Sequence, residues 1–349
     1  MSEEARQVFV SAVGQDTNVG DSVLRRGYLD ALRQVGRLNV LLDGTSSDYR
    51  DGLGLTNDDN IFDARELWWR ESAAQAESSP IVVAFNAGEM QLNRTFALSY
   101  ARHARLILAA RRAGGYGVHV GMGIRRSSAW GKPIGVILRT CARVSWRDPM
   151  SREWAGVGDV APDWAFALGE GAPSLASEGG REFLAVCLRG DRQIPDPEWV
   201  ANVEKTAQEL GLRPLLVVQV ERDNRLAAEL AAERGWLADH WYGGPHSLRE
   251  RQIRALYAES GAVLSDRLHA LVIAATEGAV PIAYAPSSTE KARRTLAPAG
   301  LADFYIPVGA KPFEVVERAS GLVSRASEVN QLVASAKDKL ARLARSLSI

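Results

Sequence analysis

Residues 262–285 read AVLSDRLHALVIAATEGAVPIAYA, and this stretch decides the fold. Ala262–Ser265 is a short apolar run of the kind a buried strand shows. Leu268, Leu271, Val272 and Ala275 then recur at helical spacing, which predicts a helix over 268–276 with one buried face. Val280–Ala285 is a second apolar run. A strand, a helix and a strand in this order lie as a parallel pair with a crossover.

The same alternation extends in both directions. Towards the N-terminus, apolar runs stand at 8–13, 38–42, 81–85 and 116–120. Helical patterns run from Leu24 through Tyr28, Ala31, Leu32 and Val35, and again over 98–112. Closer to the starting segment, strands are expected at 183–188 and 215–220, with helices at 199–210 and 226–233. Between the two series, residues 168–180 carry four glycines and Pro173 without periodicity, which marks a linker. The chain therefore reads as α/β, with two Rossmann-like doubly wound domains facing a cleft. These are an N-terminal domain over 1–172 and a C-terminal domain over 173–325. A long helical pattern from about 312 to 347 closes the chain, with 326–349 as a terminal helix.

In open parallel sheets, ligands sit at the carboxyl ends of the strands. That rule selects a few loops. Gly14-Gln-Asp-Thr-Asn-Val-Gly20-Asp21 follows the first strand and opens a helix whose free N–H groups attract anions. The plain alternative is that Asp21 caps this helix and Asn18 makes a turn. Ser265-Asp266-Arg267-Leu268-His269 is sharper. With Asp266 as N-cap, Arg267 and His269 fall in the first helical turn, off the apolar face and directed into the cleft. The helix dipole disfavours a cation there by roughly 0.3–1 kcal/mol, so Arg267 makes best sense with an anion beside it. Arg189 follows the strand at 183–188 and is aimed at the same edge, either as an anion clamp or as an ion-pair partner of Asp191. Ser145-Trp-Arg147-Asp148 and Asp163-Trp-Ala-Phe166, taken alone, are helix-cap and turn signals.

Composition removes several classes. Lys and Arg number 42 and Asp and Glu 42, so bulk charge does not point to nucleic acid or anionic lipid. Of the 42 cations six are Lys and 36 Arg, a skew towards the residue that forks onto carboxylates and phosphates. Cys141 and Cys187 form no CxxC pattern, which fits a reducing cytoplasm rather than a disulfide scaffold. The polar start Met1-Ser-Glu-Glu-Ala-Arg is no signal peptide, and no apolar run is long enough to span a bilayer. His103, His119, His240 and His246 lack metal-ligand spacing, so no metal is expected. There is no GxSxG elbow either.

In their order along the chain these motifs resemble the polysaccharide pyruvyl transferase family. The matching residues are Asn18-Val-Gly20-Asp21, Ser145-Trp-Arg147-Asp148, Asp163-Trp-Ala-Phe166 and Leu188-Arg189. They continue with Ser265-Asp-Arg267-Leu-His269-Ala270, Gly278-Ala-Val-Pro281 and Lys291. Asn86-Ala-Gly88-Glu89 and Gly121-Met-Gly123-Ile124 depart from the family's glycine-rich and G-x-G-P turns. The resemblance implies a two-domain fold similar to glycosyltransferase-B. It also implies transfer of a pyruvyl group from phosphoenolpyruvate to sugar hydroxyls as a ketal, with no further cofactor. Arg189, Arg267, Leu268 and Lys291 would bind the donor, and His269 would be the acid that protonates its methylene carbon. Asp21, with Asn18, would orient or deprotonate an acceptor hydroxyl, and Gly20, Asn86 and Glu89 would lie on the acceptor side. The acceptor would be a cell-envelope glycan or its precursor, lipid-linked or not, handled in the cytoplasm. Lys337, Lys339, Arg342 and Arg345 beside Val333, Leu340, Leu343 and Leu347 leave the last helix two roles, peripheral membrane contact or a strap across the domains. Two rivals stay open: a nucleotide-sugar glycosyltransferase of the same architecture, with Glu277 or Glu290 on the ribose, and a non-catalytic sugar-binding protein.

Overall fold

The computed structural model describes residues 6–169 and 180–349. Apart from 168, 169 and 180 the expected linker lies outside these residues, as does the polar start Met1–Ala5. Two parallel sheets carry the chain. The first contains β1 (Gln7–Ser11), β2 (Arg37–Leu41), β3 (Asn60–Phe62), β4 (Val82–Ala84), β5 (Gly88–Met90), β6 (Tyr116–Ile124), β7 (Arg143–Trp146) and β8 (Asp159–Val160). Their order is β3-β2-β1-β4-β6-β7-β8, with β5 on the end of β6. The second contains β9 (Phe183–Cys187), β10 (Arg213–Val217), β11 (Leu237–Asp239), β12 (Ser260–Ser265) and β13 (Val280–Ala283), in the order β11-β10-β9-β12-β13. Every strand pairing within the sheets is parallel.

The long apolar runs all form strands. β3, β5, β8 and β11 were not expected, because two or three residues carry no period and their pairing comes from the neighbouring strand. Strand order reverses between β1 and β4 and again between β9 and β12. Ligands of doubly wound sheets bind at such reversals. The loops that follow β1, β9 and β12 meet there.

The helix Leu268–Thr276 departs from its expected single buried face. His269–Thr276 are all buried, because β12, β13, the last helix and the 3-10 turn Trp164–Ala167 enclose it. Its N-cap is Arg267, not Asp266. The long C-terminal pattern is two helices, Pro312–Val323 and Ala326–Arg345. The second buries Val333, Ala336, Leu340 and Ala344. It ends against the first domain, where the Tyr116 hydroxyl donates to the Leu347 carbonyl at 2.6 Å and Lys337 donates to the Gly169 carbonyl at 2.5 Å. This is the strap. The apolar face proposed for membrane contact is already covered by protein. Among the described residues, no helix is long and apolar enough to cross a membrane.

Candidate active site

The carboxyl ends of both sheets open on a cavity of about 310 Å³. One wall comes from the first domain (Gln15, Asn18, Asp21, Arg25, Gly88, Glu89, Arg125 and Arg147). The other comes from the second (Arg189, Gln219, Arg222, Asp266, Arg267, Leu268, His269, Lys291 and Ala292). The domains are joined directly beside it. Val19 donates its N–H to the Gln219 carbonyl at 3.4 Å, and Glu221 to the Thr17 carbonyl at 3.1 Å. The Ser22 hydroxyl and His246 Nδ1 meet at 2.8 Å, and His246 Nε2 lies 2.9 Å from the Asp16 carbonyl.

On the second-domain wall, Arg267 is buried and forks onto Asp223 at 2.5 and 2.6 Å. The Gly190 N–H donates to the same carboxylate at 2.8 Å. Such a bidentate pair holds the guanidinium plane rigid. Arg189 forks onto Asp191 at 2.9 and 2.8 Å, and Arg222 reaches Asp191 at 3.2 Å. Arg189 therefore forms the ion pair that was one of its two readings while also lining the cavity. The two cations hold Asp191 down to about 2, chiefly through the Arg189 hydrogen bonds. Asp266, expected as the helix cap, instead accepts from the Arg189 N–H at 3.1 Å. Burial raises its carboxyl above the ordinary value. Leu268, expected on the buried face, is half-exposed and lines the cavity.

His269 is buried at the base of the cavity, with Nε2 3.6 Å from the Asp163 carboxylate. Asp163 is fully buried and accepts from Arg147 at 3.1 Å and from the Ala165 N–H at 3.0 Å. Burial pushes the Asp163 carboxyl up, yet His269 and Arg147 outweigh it and hold the pKa down at about 2. A permanent carboxylate thus faces the imidazole. Two glycines make this packing feasible. A Cβ on Gly20 would stand 2.6 Å from His269 Cβ and Nδ1, and one on Gly123 would stand 2.7 Å from Arg147 Nε. Arg147 Nε, Gln219 Oε1 and His269 Nε2 are buried at the cavity without a hydrogen-bond partner, a state that a ligand or water would satisfy.

Other expected residues are held by protein partners. Lys291, expected to add a point charge for the donor, lines the cavity with its ammonium 2.7 Å from Glu89, across the cleft. Arg125 adds a second cation on Glu89 at 3.1 Å. Burial alone would raise the Glu89 carboxyl, but Lys291 and Arg125 bring it down to about 2. Burial also lowers the Lys291 ammonium despite the Glu89 charge. Asn18, not Asp21, caps the helix Val19–Arg33, accepting from the Gly20 N–H at 3.1 Å. Asp21 lines the cavity, accepts from the Gln15 N–H at 2.8 Å and lies 3.5 Å from Arg25. Asn86 does not line this cavity. It accepts from Arg25 at 3.1 Å and donates to the Val13 carbonyl at 2.8 Å, holding Arg25 in place.

Arg147, Asp163, Asp223 and Arg25 also shape the site, and local sequence alone gives them no chemistry. Arg147 directly follows β7, so the strand-end rule applies to it, but β7 is too short to announce itself. Asp223 sits just beyond the strand expected at 215–220, in the turn that follows β10. Asp163 precedes a single 3-10 turn and has no such signal.

A family model for polysaccharide pyruvyl transferases matches residues 18–288. The chain belongs to the polysaccharide pyruvyl transferase family. That match covers the cavity lining except Gln15, Lys291 and Ala292. No curated protein matches the sequence. Among solved structures, the glycosyltransferase of kitacinnamycin is 14% identical, aligns over 99% of both chains and has a TM-score of 0.53. A UDP-N-acetylglucosamine 2-epimerase from Listeria monocytogenes, itself assigned by inference, is 11% identical with a TM-score of 0.56, over 97% of this chain and 94% of its own. An O-GlcNAc transferase mutant from Thermobaculum terrenum is 16% identical with a TM-score of 0.52, over 99% of this chain and 66% of its own. At these identities the likeness is one of fold: a pyruvyl transferase family member with glycosyltransferase-B architecture. Among the described residues, no group of three His, Cys, Asp or Glu side chains is placed to hold a metal ion.

Proposed function

We propose that this transferase moves the pyruvyl group of phosphoenolpyruvate onto two hydroxyls of a sugar, forming a pyruvate ketal. The observation that carries this reading is one small cavity with seven cationic side chains and three carboxylates on its walls, and a buried histidine at its base. A compact ligand bearing both a carboxylate and a phosphate suits that charge pattern, and planar guanidinium forks suit both groups.

Arg267, held by Asp223, and Arg189, with Arg222 beside it, would bind the two anionic ends of the donor, displacing Asp191 from Arg189. The free N–H groups at the start of the helix Leu268–Thr276 add to this. His269 would give a proton to the methylene carbon, which becomes the methyl group. Positive charge then develops at C2, and the first sugar hydroxyl attacks there. Its proton restores the imidazolium. Phosphate leaves with the C2–O bond electrons, and the second hydroxyl closes the ketal, its proton passing to phosphate. Asp163 does not line the cavity. It is a positioning residue whose carboxylate faces the imidazole from 3.6 Å and orients it.

The decisive assay follows phosphate release from phosphoenolpyruvate against galactose, mannose and N-acetylmannosamine derivatives. His269→Ala is expected to lower kcat by roughly 10²–10⁴. Activity above a tenth of wild type refutes the acid role. Thermal stabilisation by UDP-sugars but not by phosphoenolpyruvate refutes the donor.

A further inference from the structure

A second cavity, of about 360 Å³, lies on the far side of the Asn86–Glu89 loop, wholly within the first domain. It shares Arg25 and Glu89 with the charged cavity, so the two are neighbours through a common wall. Its lining is mainly apolar and aromatic, with Arg25, Arg65 and Glu89 as its charges. Trp68 and Trp69 from the helix Arg65–Ala76, Phe96, Tyr100 and His103 from the helix Arg94–Arg112, and Phe85 after β4 form its sides. Ser11, Asn86 and Ser99 interrupt the rings with hydrogen-bonding groups.

Most of the rings stand edge to face or tilted, and one pair is stacked. Trp68 and Trp69 meet at 90° with centroids 5.0 Å apart, and Trp69 and His103 at 69° and 4.8 Å. Phe85 and His103 stack on each other at 4.6 Å, and Arg102 covers a face of Trp69 at 4.1 Å. These arrangements leave a corner of aromatic faces and not a slot between two parallel ones. A flat base would need the slot. A pyranose, with apolar C–H faces and a rim of hydroxyls, fits a corner with serine and asparagine at its edges. Burial lowers His103 to about 4, so it meets a ligand as a neutral ring and repels no cation. The volume is at the low end for ligand cavities, the scale of one sugar ring and too small for a lipid chain.

We propose that this aromatic corner binds the sugar ring adjoining the one that receives the pyruvyl group, so that the natural acceptor is a glycan of at least two residues. The proposal rests on the pyruvyl transfer reading for its geometry. The reacting ring would sit over the charged cavity, with Arg25 and Glu89 at the junction of the two.

The test is calorimetric titration of the whole protein with mono-, di- and trisaccharides of galactose, mannose and N-acetylmannosamine, and separately with phosphoenolpyruvate and uridine. Two variants at accessible or half-buried positions spare the core: Ser99→Trp, which fills the mouth, and Phe96→Ala, which removes one face. At least one oligosaccharide should bind wild type more tightly than its monosaccharide. Both variants should weaken that oligosaccharide tenfold or more and leave phosphoenolpyruvate binding within twofold. Oligosaccharide affinity unchanged in both variants, no saccharide binding at all, or uridine binding more tightly than every saccharide overturns the proposal. If oligosaccharide binding behaves as expected but no acceptor elicits phosphate from phosphoenolpyruvate, the transfer reading fails and the sugar site stands. If phosphate is released and the acceptor KM is the same in both variants, the sugar site fails and the transfer reading stands.

Discussion

Replacing Gly20 with alanine separates the packing of His269 from every charge in the site. Gly20 lies in the first turn of the helix Val19–Arg33, capped by Asn18. An alanine Cβ there would meet His269 Cβ and Nδ1 at 2.6 Å and Gln219 Nε2 at 2.3 Å, where ordinary contact begins near 3.4 Å. The imidazole must therefore retreat by about 0.8 Å, or the first turn must move away from it by as much. A displacement near 1 Å of a reacting group costs on the order of 10² in rate. Folding is affected less. Alanine in a helix is favoured over glycine by roughly 0.5–1 kcal/mol, while overpacking a tight site costs typically 1–3 kcal/mol. The net is a loss of at most about 2.5 kcal/mol by these figures, a fall in Tm of a few degrees. Phosphate release at saturating phosphoenolpyruvate, with Tm measured in parallel, checks both numbers. A kcat within about threefold of wild type would mean that the position of His269 does not limit the reaction, and the acid role would fall with it.

The buried carboxylates and the strap give three more outcomes. Asp163→Asn leaves Arg147 buried without its counter-charge, a change that typically costs 3–5 kcal/mol, and should lower kcat at least about tenfold by freeing His269. Urea unfolding and phosphate release read the two effects. Glu89→Gln tests the pair across the cleft. The Glu89 carboxyl lies at about 2 in the folded chain, below its unfolded value of 4.5, so its stabilisation is present above that value and fades as pH falls towards 2. The stability difference between wild type and Glu89→Gln should be largest near pH 6 and shrink by pH 3 in urea titrations at both values. Equal differences at the two pH values would show that the pair is not coupled to folding. Deleting residues 336–349 exposes the partners of Leu340 and Leu347, at roughly 1.5–3 kcal/mol per leucine, and removes the Tyr116 contact. Tm should drop by several degrees. Binding to anionic liposomes by the full chain, lost on truncation, would restore the membrane role that the packing disfavours.

The architecture was readable because parallel strands buried on both faces are written as continuous apolar runs, and crossovers as 3.6-residue periods. The run 262–285 declared the strand, the helix and the parallel partner without reference to the rest of the chain. The same local logic located Arg189, Arg267 and His269, since a residue directly after a buried strand has one place to go. Short edge strands such as β3 and β11 escaped, because pairing by a neighbour leaves no period in three residues.

What a charge does once it arrives depends on the residues it meets, and those come from distant parts of the chain. Asp223 takes up Arg267 from 44 residues away, and Glu89 takes up Lys291 from the other domain. Gly20 yields the space that His269 fills. The 36 arginines were visible from the start, but which of them face the cavity was not. Secondary structure follows from local period and burial, which neighbouring residues encode. Ion pairing and close packing are set by through-space distances, and only the assembled sheets bring those groups within reach.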